Sequence, residues 1–308
     1  MVMLSRKKVL LAKTETVYAT DPTPTAAANA ILAIDPDIKE ILNPIDRGIN
    51  ISTLSNQKSI AGIKYAEVTF KVELRGSGTA GTAPRLGALL KACAMAETVV
   101  SSTSVTYAPA SSSHSSVTLW LYVDGRLHKV NGARGTFKMT CPAGQIAMLE
   151  FTFQGKWVAT SNAAIVSGTY DGAPETCKSA SFSYNSKTTL VASQVELDMA
   201  NKVTQRPSLN DATGMAGVEI TARKPVLTVD IEDTVETSYG FRGDQLTTER
   251  AVSWIVGSTA GKKCTITVPK FNITNIEYAD NDGILMSKLN GECDINSTGD
   301  DEVSVAFT

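Results

Sequence analysis

The sequence predicts a mainly β protein built from two tandem copies of one β-domain, each with at most one flanking helix. Three observations predict it. Apolar residues recur at every second position in run after run, Asp124-Gly125 separates two such runs, and the order of motifs in the first half of the 308 residues returns in the second. Alternation of this kind puts successive side chains on opposite faces of a strand, one dry and one wet.

The elements follow in chain order. Arg6, Lys7 and Lys8 precede Val9, Leu10 and Leu11, but Lys13 and Glu15 cut the apolar run short of a signal peptide. Val68, Phe70, Val72 and Leu74 alternate with Glu67, Thr69, Lys71 and Glu73 as a strand. Over about 84–98 the period changes: Leu86, Leu89, Leu90, Cys93 and Glu97 fall at helical spacing, with Thr82 placed to cap and Pro84 in the first turn. The Ser-rich tract 101–116 reads as a flexible excursion. Val117, Leu119, Leu121 and Val123 alternate with Thr118, Trp120 and Tyr122 before the Asp-Gly turn, a strong hairpin signal. Leu149, Phe151 and Phe153 form another strand, as do Leu227, Val229 and Ile231, and lastly Val303, Val305 and Phe307.

Self-comparison matches Ile60-Ala61-Gly62-Ile63 with Met215-Ala216-Gly217-Val218, 155 residues on, and Phe70, Val72 and Leu74 with Leu227, Val229 and Ile231, 157 residues on. Leu149, Phe153 and Gly155 match Leu285, Leu289 and Gly291 at an offset of 136. The order is kept, and the shorter offset assigns the helix and the Ser-rich tract to an insertion in the first copy. The expected copies are 1–165 and 166–308.

Composition narrows the function. The formal net charge is −2, whereas nucleic-acid binders carry a basic surplus to neutralise phosphates. The charge is unevenly held: residues 1–157 carry +6 and residues 158–308 carry −8, which suits a positive half docking on a negative half of the next subunit. The five cysteines are at least 29 residues apart, too far for a CxxC pair or metal knuckle, and read as buried thiols in a reducing compartment. No stretch has the roughly 18 apolar residues of a membrane span.

Catalytic motifs fail one by one. His114 and His128 have no GxSxG elbow or cysteine partner. Gly257-Ser258-Thr259-Ala260-Gly261-Lys262-Lys263 is one residue short of a P-loop and has Lys263 where magnesium needs a hydroxyl. The Gly76, Gly78 and Gly81 cluster lacks dinucleotide-binding spacing. Asp280-Asn281-Asp282-Gly283 departs from a calcium loop at Ile284 and reads as a tight turn. The reading is a structural or binding protein without catalytic residues, metal or cofactor. The sequons at Asn50, Asn272 and Asn296 read as chance matches.

Three segments carry a resemblance. Thr82-Ala83-Pro84-Arg85-Leu86-Gly87-Ala88-Leu89-Leu90-Lys91-Ala92-Cys93 is similar to the aPpLGaLLrAcG segment of tail tube proteins of long-tailed, non-contractile bacteriophages. It departs at Ala94, where the family often has Gly, so the helix is expected to run on. Val268-Pro269-Lys270, Ile276, Asp282-Gly283, Gly299-Asp300-Asp301-Glu302-Val303 and Phe307 resemble the family's closing pattern, and Lys7–Lys13 with Ala19–Pro24 its opening.

The resemblance implies tandem tail-tube β-sandwich domains whose inner sheets close into a barrel when rings form. A duplicated chain implies three subunits per ring, with six the other arrangement. Implied partners are further copies of the chain, a tape measure protein in the lumen, a tail terminator and distal tail or baseplate proteins at the ends. Double-stranded DNA would pass without specific binding. The implied location is the virion tail, assembled in the host bacterial cytoplasm, with no membrane insertion. An acidic lumen would repel DNA and ease its passage.

Loops 43–62 and 101–116 are the expected contacts between rings or subunits, with Pro44, Arg47, Gly48, Ser55 and Asn56 in the first and Ser111 and His114 in the second. Competing classes are a tail terminator, a capsid decoration protein, and a carbohydrate-binding module. The last would cluster its surface aromatics, but Trp120, Trp157 and Trp254 are scattered.

Overall fold

A computed structural model of the chain describes residues 2–178, 180–235 and 239–308. The first half contains β1 (Lys8–Thr14), α1 (Ala26–Asn29), β2 (Ala30–Ile31), β3 (Ala33–Ile45), β4 (Ile60–Glu73), α2 (Gly87–Ala92), β5 (Met95–Val100), β6 (Ser104–Pro109), β7 (Val117–Val123), β8 (Arg126–Pro142) and β9 (Met148–Asn162). The second contains β10 (Ser183–Tyr184), β11 (Ala192–Asp198), β12 (Lys202–Pro207), β13 (Met215–Ala222), β14 (Val226–Glu232), α3 (Phe241–Asp244), β15 (Arg250–Val256), β16 (Cys264–Asn281), β17 (Ile284–Cys293) and β18 (Ser304–Phe307). The protein is mainly β, as the alternation requires.

Among the described residues all strand pairings are antiparallel, and sixteen strands share one hydrogen-bonded network, with β12 and β13 a separate ribbon. In the first half the pairing runs β3-β4-β9-β8-β7-β1. In the second it runs β11-β14-β17-β16-β15-β10. The same order of pairing thus occurs twice, with α2 and α3 each falling between the second and fifth strand of its series. The β8–β11 ladder joins the two series, setting Met139 opposite Leu197 and Cys141 opposite Val195. A second join uses β18, which lies between β16 and β6.

One side of this network is apolar. Val68, Phe70 and Val72 on β4 stand opposite Phe153, Phe151 and Leu149 on β9, and the Phe70, Phe151 and Phe153 rings stack 5.6–5.9 Å apart. Cross-strand aromatic pairs of this kind contribute beyond the area they bury. Phe137, Leu197, Val229, Leu289 and Ile273 continue the same core into the second half. Mid-strand bulges, opposite Gly155 in β8 and at Thr274 in β16, bend these long strands, so that their N-terminal parts turn to pair with β7 and β15.

Three expectations need correction. The helix expected over 84–98 is only α2, six residues long, and Glu97 lies in β5. It ends because Ala94 takes φ +59°, the left-handed conformation that the family's Gly would adopt without cost, so the substitution does not extend the helix. Thr82 makes no capping bond, although Leu86, Leu89, Leu90 and Cys93 are buried as the spacing requires.

The Ser-rich tract is not a flexible excursion throughout. Residues 104–109 are β6, with Val105 and Tyr107 fully buried and paired to β18, because Ser and Thr fill its outer face while the inner one stays apolar. The register of the internal match also shifts. Gly155 stands opposite Ala66 and Gly291 opposite Leu227, so Leu227 corresponds to Ala66 rather than Phe70. A slip of four residues keeps every side chain on its face, which is why alternation alone could not detect it. Met215–Val218 belongs to the ribbon rather than to the main network.

Phe151→Ala should lower the unfolding free energy of the dispersed subunit by about 3–5 kcal/mol. Lys71→Ala, on the opposite, exposed face of neighbouring β4, should change it by less than about 0.5 kcal/mol. Denaturant unfolding followed by circular dichroism measures both, and equal losses would contradict the assignment of faces.

Candidate assembly interface

The eight strands β3-β4-β9-β8-β11-β14-β17-β16 turn a polar face away from the core. Lys39 pairs with Glu67, Asp37 with Thr69, and Thr69 with Thr152. Lys138 stands opposite Glu150 on one side and Asp198 on the other. Further across, Asp230 faces Lys288, and Lys288 faces Glu277. Carboxylates outnumber ammonium groups on this face: Glu73, Glu196, Glu232 and Glu292 add to those just named. Burial is the main reason the Asp230 pKa is raised; Lys288 pulls it down and the nearby Glu196 adds a smaller push upward.

Among the described residues, both ends of this eight-strand series have edges without a strand partner: β3 pairs as a strand only with β4, and the 275–281 part of β16 only with β17. Unpaired edges invite another strand, and exposed ones are normally shortened, covered or blocked. Here they are long. β3 carries Pro36 and Pro44, residues that a central strand would not tolerate but an edge does.

The β12–β13 ribbon, from the second half, lies across the first half. Asp211 at its turn pairs with Lys156 of β9, and Lys64 N–H donates to the Thr213 carbonyl oxygen at 3.1 Å. Val218 N–H donates to the Tyr18 hydroxyl at 2.7 Å. Gly217, φ +152°, lets that hydroxyl approach: a Cβ there would lie 2.1 Å from it.

Arg134 is buried beneath the ribbon. It donates to the Val218 carbonyl at 2.9 Å and the His114 carbonyl at 2.8 Å, and pairs with Glu219 at 2.6 Å. His114 adds its Nδ1 to Glu219 at 3.2 Å, while its Nε2 lies 3.0 Å from the Ala110 carbonyl oxygen. Burial works to raise the Glu219 carboxyl, but His114 and Arg134 outweigh it and hold the pKa below its usual value.

The site residues expected from sequence therefore separate into two places. Pro44 stands opposite Ala61, one pair before Ile45–Ile60 closes the paired part of the long β3–β4 hairpin, and Arg47, Gly48, Ser55 and Asn56 occupy its exposed tip, 46–59. Apolar residues accompany them at the surface: Ile45, Ile49, Ile51, Leu54 and Ile60, with Leu54 wholly exposed. Ser111 and His114 lie elsewhere, in the segment between β6 and β7. Ser111 N–H donates to Asp300 at 3.0 Å, and Asp300 also accepts from Arg223 at 2.7 Å.

Sequence reading missed the ribbon anchors Tyr18, Arg134, Lys156, Asp211 and Glu219. The available signal was the Asn210-Asp211 turn with Gly214, between the runs 202–207 and 215–222. Among the described residues no three His, Cys, Asp or Glu side chains converge to hold a metal, and all five cysteines are free thiols in the interior.

The sequence model of the phage tail tube protein family matches residues 5–308, nearly the whole chain. No curated protein matches it.

The ribbon anchor should weaken on acidification. Bonds from Lys156 and Thr213 lower the Asp211 pKa from the ordinary 3.8 to about 2. A depressed carboxyl stabilises the fold above its unfolded value and loses that contribution as pH falls through the folded one. Asp211→Asn should therefore melt slightly below wild type at pH 5–7, with the gap closing below the ordinary Asp value and gone near pH 2. Thermal melts at stepped pH test this, and a gap that persists at the acid end would refute it.

Proposed function

The chain belongs to the phage tail tube protein family, and from that membership we propose that it polymerises into stacked rings whose lumen conducts double-stranded DNA into the host. Its role is structural, as a component of the virion tail tube. The observation that carries the ring reading is the eight-strand series itself, apolar on one face, polar on the other, and unpaired at both ends. Strands with free edges reach closure by joining identical neighbours head to tail around an axis. The polar face then becomes the channel wall, and its carboxylate excess repels the phosphates of passing DNA rather than binding them.

The twice-used pairing order supports a duplicated tube domain, divided near 165, and with it three chains per ring in a pseudo-sixfold arrangement. The +6 and −8 halves would alternate around such a ring, each facing its opposite. The tail is of the long, non-contractile kind in this reading, assembled in the host cytoplasm around a tape measure protein. A terminator caps one end and distal tail or baseplate proteins the other.

Negative-stain electron microscopy of the purified protein, with averaged end-on views, tests the proposal. Hollow rings or tubes with three chains per ring are expected. Six chains per ring would retain the tube and remove the duplication argument. Particles that never assemble on concentration would remove the tube reading itself. Tight DNA binding at low salt would contradict the repulsive lumen.

A further inference from the structure

The join between the two halves of the chain is a template for the join between two chains. In the β8–β11 join, a strand from the second half borders the first-half sheet, and the ribbon that follows β11 lies across β8 and β9. The counterpart of β11 in the first half is β3, since each is the outer partner of a corresponding strand, β14 or β4. The counterpart of β8 is β16, since each pairs with a corresponding strand, β9 or β17, and carries the same mid-strand bulge. Within one chain, β3 and the 275–281 edge of β16 lack the partners that β11 and β8 provide to each other.

We propose that β3 of one chain pairs with the 275–281 edge of β16 in a second copy, and that the β3–β4 hairpin tip crosses onto that copy as the β12–β13 ribbon crosses onto the first half. The proposal rests on the ring reading and specifies its joint.

Register follows from the rungs already formed. Gly155 and Gly291 are equivalent, so Ala66 corresponds to Leu227, and their neighbours Glu40 and Leu197 correspond in turn. The bulges make Arg134 equivalent to Asn275, hence Met139 to Asp280. Leu197 stands opposite Met139. Glu40 therefore stands opposite Asp280 of the second copy, and Lys39 opposite Asn281. In the template, residues 193 and 199 of the second half bond toward β8 through Ser193 O and Met199 N. Odd positions of that strand correspond to even positions of β3, so Lys39 and Asn281 form a non-hydrogen-bonded pair, whose side chains approach most closely.

Exposure of the apolar residues agrees with this placement. In the ribbon, whose docking surface is in the same chain, Met215, Val218 and Ile220 are buried. In the hairpin tip, Ile49, Ile51 and Leu54 are exposed. The surroundings of the free β16 edge are likewise uncovered. Leu246, in the segment before β15, and Tyr278, on the β16 edge, are each about two-thirds exposed, at 65% and 64%. A second copy covers both sets at once.

Disulfide trapping tests the joint. Lys39 and Asn281 are both exposed, so Lys39→Cys with Asn281→Cys leaves the subunit fold intact, and the five native thiols are buried. Oxidation of assembled double-variant tubes should give covalent multimers on a non-reducing gel, ending at the number of chains in one ring. Either single variant should stay monomeric, and Lys39→Cys with Ala279→Cys, two residues along on the same face, should cross-link at least fivefold less.

Tubes visible by microscopy without cross-linking of the Lys39–Asn281 pair would overturn the joint while leaving the tube function standing. Absence of tubes from the wild-type protein would instead defeat the function. For the hairpin, Leu54→Asp should raise the concentration needed for assembly at least tenfold, and an unchanged concentration would overturn the crossing.

Discussion

Backbone hydrogen-bonding capacity at the ends of a sheet governs this molecule. Each strand offers donors and acceptors on two sides, and those left unpaired are either solvated or taken up by another strand. The β8–β11 ladder satisfies two such edges within the chain and so fuses the two strand series into one core running from Phe70 to Leu289. Within the eight-strand series the outer edges, on β3 and β16, are the remainder of the same account.

The ladder alone would be a hinge. What braces it is the ribbon, which spans from the second half to Lys64, Lys156 and Arg134 of the first. Behind these anchors Glu15 accepts from Ala19 N–H, Gly132 N–H and the Ser116 and Thr118 hydroxyls, all within 2.7 Å, fixing the end of β1 against β7 and the β8 bulge. A buried carboxylate with four donors is well satisfied, and the segment it orders presents Tyr18 to the ribbon. Fixed geometry on both sides of the join is what gives it the character of a rigid corner.

Much of the fold was legible because alternation reports faces directly. Phe70, Phe151, Phe153, Leu227 and Val229 all face the core as their spacing implies. Strand β3 was not legible, since Pro36 and Pro44 interrupt Ile34, Ile38, Ile41 and Ile45, and a proline-bearing run reads as a loop until its edge position is known. The end of α2 was hidden for a local reason: Ala94 adopts a conformation for which Ala has no preference, held there by the packing around it. Of the candidate contact residues, those in 43–62 could be placed on a turn by Pro44 and Gly48. The bonds of Ser111 to Asp300 and of His114 to Glu219 join residues 189 and 105 positions apart, and no local pattern announces such pairs.

The position of β18 bears on how the chain acquires this structure in time. Its partner β6 is made early, yet Val305 and Phe307 stand opposite Tyr107 and Val105, about two hundred residues away. Until they arrive, β5 and β6 form a two-stranded hairpin with an apolar side, too small to be stable alone. Closure of so long a loop is slow, and it must precede burial of Tyr107 against Phe307, whose rings meet edge to face at 6.1 Å. A nascent chain therefore keeps the apolar side of this hairpin uncovered until β18 has emerged, and Val105, Tyr107, Val305 and Phe307 set when that side is buried.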